Sequence, residues 1–327
     1  MASLEPTLSV VIPIYNEVES VPVLHQRLTA ALAGQGAYEL VLVDDRSSDG
    51  SWDVLLELAA TDPSIRLLRL SRNFGHQIAI SAGLDAARGE AVVLMDGDLQ
   101  DPPEVIPGLI RKWREGYDVV YAVRERREGE TRFKRATAKL FYRLLGQMSQ
   151  VNIPENAGDF RLLSRRAADA VRRMPERARF LRGMTSWVGF RQTGIPYQRD
   201  PRYAGETKYP LRKMISFAID ATTSFSTAPL RFVSAVGTSM VIFCIAYSVY
   251  TLVRFSTNQT VPGWTSLVVL LLLIGGLQLL CLGIVGQYIA RIFEEAKNRP
   301  LYLVDEVVEA PALVPGEIGE RAVDSRA

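Results

Sequence analysis

The chain holds two cysteines and two histidines in 327 residues. Both cysteines, Cys244 and Cys281, fall in apolar runs. That scarcity excludes a disulfide framework and a thiolate or imidazole zinc cluster, and it fits a reducing compartment. His25 and His76 stand alone in the sequence. Each is read as a solvated or packed histidine rather than as part of a Ser-His-Asp or Cys-His constellation. Charge of one sign is also lacking. A net charge of +2 from 38 basic and 36 acidic residues makes no case for nucleic acid. The glycine fingerprint of a dinucleotide site is missing, because Gly34 and Gly36 follow a helical segment and Glu39 stands where a third glycine belongs. No Gly-Lys-Ser/Thr phosphate loop occurs. The first apolar run, between Glu5 and Glu17, has no basic leader and does not read as a secretory signal.

The most telling lack is of charge over two long stretches. Val233 to Val253 and Trp264 to Ala290 contain no charged residue. Each meets the roughly 20 residues needed to cross a hydrocarbon core as a helix. The loop between them, Arg254 to Gly263, carries one basic residue, whereas Arg212, Lys213, Arg231, Arg291, Lys297 and Arg299 lie on the outer flanks. The positive-inside rule then predicts two spans in the cytoplasmic membrane, with the N-terminal domain and the tail in the cytosol. Trp264 and Tyr288 sit near the ends of the second run, as interfacial aromatics do. The expected organisation is a cytosolic domain over 1–207, a juxtamembrane helical region over 208–230, a hairpin over 231–290 and a tail over 291–327. Met214, Ile215, Phe217, Ala218 and Ile219, with Arg212 and Lys213, read as a helix on the inner leaflet. The competing reading is an ordinary packed helix. Beyond Pro300 the tail lacks periodicity, and after about Val308 its composition is that of a disordered segment.

What is present in the first 100 residues is an alternation of strands and helices. The apolar runs Leu8–Ile14, Glu39–Val43, Ile65–Leu70 and Glu90–Met95 predict strands, the first interrupted at Pro13. Val21–Leu32, Ser51–Ala60 and His76–Ala87 predict helices, the second capped by Asp49 or Ser51. The pattern specifies an α/β fold with a mainly parallel, Rossmann-like sheet covered on both faces. Ligands bind beyond the carboxyl ends of such strands. Tyr15, Asn16, Glu17, Asp44, Asp45, Asp96 and Asp98 lie at those ends. Asp96-Gly97-Asp98 follows an apolar strand, and Pro102-Pro103 stiffens the chain just past it. Carboxylates on such a turn suit Mg²⁺ or Mn²⁺ shared with a diphosphate, with Gln100 offering an amide oxygen.

The segments Val11-Ile12-Pro13-Ile14-Tyr15-Asn16-Glu17, Val43-Asp44-Asp45-Arg46-Ser47-Ser48-Asp49-Gly50, Arg72-Asn73-Phe74-Gly75-His76, Met95 through Pro103, and Gly158-Asp159-Phe160-Arg161-Leu162 resemble family 2 glycosyltransferases of the GT-A fold. Tyr203 through Tyr209, and Gly286-Gln287-Tyr288-Ile289-Ala290-Arg291 through Lys297-Asn298-Arg299-Pro300, narrow the resemblance to polyprenyl-phosphate glycosyltransferases of the GtrB, ArnC and dolichol-phosphate mannose synthase type. Arg46 departs from the Gly or Ser frequent at its position. The resemblance implies that Pro13, Tyr15, Glu17, Asp44 and Asp45 contact the nucleotide and Asp96 the donor sugar. It implies Asp98 and Gln100 as metal ligands for Mg²⁺ or Mn²⁺. Arg124 and Arg135, the latter beside Arg132 and Lys134, would hold the lipid phosphate. Asp159 and Arg161 would lie with Asp96 at the reacting centre. For Asp159 a second reading is a helix cap before a helical Phe160–Val171. For the arginines it is a solvated charged run.

The resemblance thus implies metal-dependent, inverting transfer from a nucleotide-sugar, with UDP favoured as carrier, to polyprenyl phosphate at the cytoplasmic face of the membrane. Membrane lipid is a partner, nucleic acid is not, and self-association stays open. A processive polysaccharide synthase and a non-catalytic membrane scaffold are the alternatives. The first lacks its Gln-x-x-Arg-Trp motif here, and the second conflicts with the retained Asp96, Asp98 and Gln100.

Overall fold

The computed structural model describes residues 6–125, 157–177, 179–200, 228–257 and 263–309. The strands are β1 (Leu8–Ile14), β2 (Tyr38–Asp44), β3 (Ile65–Leu70), β4 (Ala91–Leu94), β5 (Val119–Arg124), β6 (Ala157–Ser164), β7 (Gln192–Tyr197) and β8 (Val304–Glu309). They form one sheet in the order β7-β5-β6-β4-β1-β2-β3-β8. The four central strands β4, β1, β2 and β3 are mutually parallel. β6 runs antiparallel to both β4 and β5, β5 and β7 are parallel, and β8 is antiparallel to β3.

Helices α1 (Ser20–Leu32), α2 (Ser51–Thr61), α3 (His76–Ala86) and α4 (Ile106–Arg114) fill the crossovers, with α5 (Arg165–Arg172) and α6 (Leu181–Trp187) beside β6. Alternate residues of each central strand serve opposite faces. Val10, Ile12 and Ile14 join a core with α1 and α2, while Val11 joins a second with α3 and α5. Burial on both faces is why these runs read as continuous rather than alternating. Truncating a fully buried side chain such as Ile12 to alanine should cost about 2–5 kcal/mol.

Several expectations need correcting. Pro13 does not break β1: pairing with β2 continues to Ile14, and only the β4 ladder stops earlier, at Val11. The missing N–H therefore disrupts no β4 pairing. Helix α2 takes Gly50 as its cap position, while Asp49 accepts from the Ser51 amide just inside. Phe160–Val171 is not one helix. Its first part belongs to β6, and the helix begins at Arg165, capped by Ser164 accepting from the Ala167 amide. Asp159 is thus a strand residue and not a cap. The tail is not featureless either: Val304–Glu309 is a strand on the β3 edge. Alternation is weak in its sequence, since the flanking partner rather than its own apolar face defines it.

Two long helices follow the sheet domain: α7 (Ala228–Ser256) and α8 (Trp264–Ala296). Among the described residues one stretch, Leu273–Ala296, is long and apolar enough to cross a membrane, and Val233–Tyr247 is a shorter apolar stretch. The expected juxtamembrane region lies outside the described residues, except for its last three, which open α7.

Candidate active site

The sheet order fixes where a ligand can sit. β1 has β2 on one side and β4 on the other, so the winding reverses there. The crevice beyond the carboxyl ends at such a switch point is the binding position of open α/β sheets. Among the described residues four non-glycine positions have positive φ, and three surround this crevice: Asn16 (56°), Arg46 (64°) and Leu99 (60°). They close the turns after β1, β2 and β4. Such strain, on the order of 1–3 kcal/mol per residue, persists where surrounding contacts enforce it, and it concentrates at functional sites.

On the β1–β2 side, those contacts are mainly amides and hydroxyls, with one guanidinium at Asp44. The Asn16 amide donates to Ser47 Oγ (3.0 Å), and Asn16 Oδ1 accepts from the Ser48 amide (2.8 Å). The Glu17 amide donates to Ser51 Oγ (3.0 Å), and its carboxylate accepts from Ser20 Oγ (2.8 Å). Asp44 is buried; Oδ1 accepts from the Ser47 amide (3.0 Å) and Oδ2 lies 3.3 Å from Arg69 Nε. Asp45 accepts from the Phe74 and Gly75 amides at 2.7 and 2.8 Å. Burial raises its pKa, and those two amides oppose the rise. Both Asp45 oxygens therefore hold the turn that starts α3, and through it they place His76. Tyr15 remains half exposed at the rim.

The turn after β4 lies directly on the end of β1. A Cβ on Gly97 would stand 2.8 Å from Ile14 Cδ1 and 3.1 Å from the Pro13 carbonyl oxygen. Glycine is required there by close approach. Asp98 Oδ1 accepts from the Gln100 amide at 3.1 Å. No group of three or more His, Cys, Asp or Glu gathers to hold a metal among the described residues.

On the β4–β6 side the partners are charged. Leu94 pairs with Arg161, so the start of β6 comes level with the end of β4. His76 Nε2 stands between the two, 3.2 Å from Asp96 Oδ1 and 3.8 Å from Asp159 Oδ2. Asp159 also receives both arms of Arg182, Nε to Oδ1 at 2.9 Å and Nη2 to Oδ2 at 3.1 Å, and Gln77 Nε2 at 3.0 Å. Burial alone would raise its pKa, but Arg182, Arg161 and His76 outweigh burial and hold it at about 2. Crowding opposes the charge on His76, yet Asp96 and Asp159 raise its pKa above the ordinary value.

Arg124 ends β5 and donates from Nε to Tyr197 Oη at 3.2 Å; that hydroxyl donates to Asp101 Oδ1 at 2.6 Å. Phe160 meets the Tyr197 ring edge-on at 5.8 Å and fixes it. Gly158 has no side chain where the Arg124 guanidinium lies, 2.7 Å from the position of a Cβ. Burial and the nearby Asp96 push Asp101 up to about 6. Arg124 and Arg182 are near enough for each charge to disfavour the other.

Arg161 lies beside Asp159 but binds backbone carbonyls rather than the carboxylate. It is buried, and its guanidinium donates to Gly158 O (2.6 Å), Asp159 O (3.3 Å) and Thr185 Oγ1. It sits behind Asp159 as a structural cation, its own pKa lowered by burial to about 10. Arg182 is the guanidinium that meets the Asp159 carboxylate directly. Sequence reading missed Arg182, Gln77 and Tyr197 and set His76 aside. His76 and Asp101 at least lie within quoted motifs; Arg182 carries no local signal, because its partner is 23 residues away in the chain. Arg135 lies outside the described residues.

Residues 9–172 match the family described as glycosyl transferase family 2, and residues 228–292 match the GtrB C-terminal hairpin. The chain is a family 2 glycosyltransferase. An uncharacterised glycosyltransferase of Bacillus subtilis is 49% identical over 305 residues, covering 91% of this chain and 93% of the relative. The prophage bactoprenol glucosyl transferase homologue of Escherichia coli is 39% identical over 302 residues, covering 92% and 99%. The bactoprenol glucosyl transferase of Shigella phage SfII is 40% identical over 299 residues, covering 91% and 97%. The enzyme therefore pairs a GT-A-like catalytic sheet with a GtrB-type hairpin, and its carboxylate-lined crevice is the candidate site of glycosyl transfer.

Proposed function

We propose that the enzyme moves a sugar from a nucleotide-sugar, UDP-linked in our reading, onto polyprenyl phosphate at the cytoplasmic face of the membrane, with inversion. The observation that carries this reading is the bidentate Arg182 guanidinium on buried Asp159, Nε to Oδ1 at 2.9 Å and Nη2 to Oδ2 at 3.1 Å. A carboxylate so paired, its pKa held down to about 2 against burial chiefly by Arg182, is ionised and a poor base toward a hydroxyl. A phosphate monoester needs no such help, since its second ionisation lies near pKa 6. One of its oxygens attacks the anomeric carbon while the bond to the nucleoside diphosphate breaks, its electron pair leaving with the diphosphate oxygen. Arg124 and Arg182 place the nucleophile, and Asp159 faces the positive charge that develops on the sugar. The names of the Escherichia and Shigella phage relatives support a polyprenyl carrier.

Asp44, Tyr15, Glu17 and Pro13 line the nucleotide end in this reading, with Asp45 acting through the α3 turn. A divalent metal fits the residues present. Asp98 and Gln100 bring hard oxygen donors to one turn, and the buried Asp101 Oδ2 has no hydrogen-bond donor among the described residues. A Mg²⁺ or Mn²⁺ there would be held by one or two protein groups and by the donor's phosphates. When bound, such an ion neutralises the charge left on the diphosphate.

Incubation with undecaprenyl or decaprenyl phosphate and a panel of nucleotide sugars, with mass detection of the lipid, tests the reaction. A lipid gaining one sugar from one donor supports it; no lipid product from any donor overturns it. Two spans with both ends inside make a separate prediction. With Cys244 and Cys281 replaced, a cysteine at Asn258 should label with an impermeant thiol reagent on intact cells, and one at Ser47 should not. The opposite pattern reverses the orientation.

A further inference from the structure

The strand β8 lies beyond both matched segments, and it returns the chain from the hairpin to the catalytic sheet. Its attachment is dense. Leu67 pairs with Val308 and Leu68 with Val307 in the ladder with β3, and Val308 packs on the core. Arg46 Nη1 meets Asp305 Oδ2 at 2.6 Å. Glu309 Oε1 takes Arg66 Nη2 at 2.8 Å and Arg88 Nη2 at 2.9 Å. The segment joining α8 to β8 is pinned as well. Tyr302 Oη donates to Asp85 Oδ2 at 2.9 Å, and the Ser71 amide donates to the Leu303 carbonyl at 2.9 Å. The last turn of α8 is held from the other side, where the Arg177 amide donates to Glu295 Oε1 at 2.8 Å.

The uncharged stretch of α8 runs to Ala290, and the helix itself ends at Ala296. Only Lys297 to Leu303 separates that end from β8. Seven residues reach at most about 25 Å, and here both ends and the middle are fixed. The lock also touches the crevice. Arg46 belongs to the left-handed turn after β2, between Asp45 and Ser47, and it is the position where this chain departs from the usual Gly or Ser.

We propose that β8 is a strap that sets the catalytic crevice at a fixed height and tilt over the bilayer, and that Asp305 and Glu309 are positioning residues for transfer to a membrane-held acceptor. The inference rests on the lipid-phosphate reading above. Neither residue contacts the crevice carboxylates, so they act through Arg46, Arg66 and Arg88. A strap of this kind affects a reaction whose acceptor is confined to the membrane. It has no effect on one whose acceptor arrives from solution.

The test uses the full chain in vesicles of phosphatidylglycerol and phosphatidylethanolamine. Transfer to undecaprenyl phosphate in the bilayer is compared with transfer to a water-soluble short-chain isoprenyl phosphate. Asp305→Arg with Glu309→Arg sets like charges against Arg46, Arg66 and Arg88. Transfer to the bilayer acceptor should fall by about five- to tenfold, the low end of ordinary coupling between sites. The soluble acceptor should change by less than about twofold over the same range. The exchange Arg46→Asp with Asp305→Arg should recover most of what Asp305→Arg alone loses. Equal losses with both acceptors, no loss with either, or no recovery on exchange would each overturn the strap. If the double reversal abolishes both reactions, Asp305→Asn decides by the same comparison. A wild-type enzyme that transfers sugar to neither phosphate refutes the functional reading and takes the strap with it, whereas equal losses refute the strap alone.

Discussion

The two halves of the crevice hold their carboxylates in different ways. On the β1–β2 side Asp45 accepts from two backbone amides, and Asp44 has a single guanidinium, Arg69, 3.3 Å away. On the β4–β6 side Asp159 is matched by a bidentate guanidinium with a histidine close by, and Arg124 stands near. On the proposed function, the first half takes the diphosphate with a bound cation, and the second takes the acceptor phosphate with its own guanidiniums.

The largest break in that contrast should come from Asp98→Asn. The fold should persist, since the residue sits on a turn outside the core, while transfer falls by about 10²–10³, the range for removing one preorganised electrostatic contact. Chelation of the wild type should do the same, and added Mg²⁺ or Mn²⁺ should reverse it. Full turnover in excess chelator would remove the metal from the acidic half.

Arg182→Ala attacks the other half through stability. It leaves Asp159 buried with its main partner gone, a change that typically costs about 3–5 kcal/mol. Thermal unfolding would show it. Asp159 also fixes a pH window. Its folded pKa, about 2, lies below the roughly 3.9 of an unfolded aspartate. Its contribution, on the order of 2–3 kcal/mol, is present above about pH 4 and lost as pH falls through about 2. Asp159→Asn should flatten that acid limb. An unchanged acid limb would mean that Arg182 does not hold the carboxylate ionised.

Arg124→Ala should separate the two substrates. Loss of a charge-assisted contact worth about 1.5–3 kcal/mol should raise the acceptor KM or lower kcat by about ten- to a hundredfold. Donor binding by calorimetry should change by less than about threefold. Lost donor binding with intact acceptor kinetics would place the acceptor in the wrong half.

The smallest effect belongs to His76. Its raised pKa means that the protonated ring stabilises the fold below its ordinary pKa of about 6.5 and that this is lost as pH rises through the higher folded value. The Tm advantage of wild type over His76→Gln should shrink across that rise. A constant difference would show that the ring is neutral between Asp96 and Asp159.

The acidic half was legible in the sequence because its parts are local. Apolar runs end at Asp44 and Asp96, and the turn residues lie beside them. The parallel order and the Asp96-Gly97-Asp98 turn follow from neighbours within a few positions. Of the cationic half, Arg124 and Asp159 were legible as motif residues, but their partners were not, because the pairs form across the sheet. Asp159 meets Arg182 from another element, and Tyr197 meets Asp101 from 96 residues away. The backbone and Thr185 partners of Arg161 emerge only from the β6 register and the packing of α6. The β8 strand escaped notice for the same reason, since its partner β3 lies more than 230 residues earlier.

The central claim is that the cationic half is built for an acceptor already carrying negative charge. It is tested most directly by offering the enzyme undecaprenyl phosphate and undecaprenol, with the same chain and the same nucleotide-sugar, and following the lipid by mass. The account predicts glycosylated lipid phosphate from the first and no product from the second. Comparable transfer to the free alcohol would show that the site activates a hydroxyl, and would contradict it.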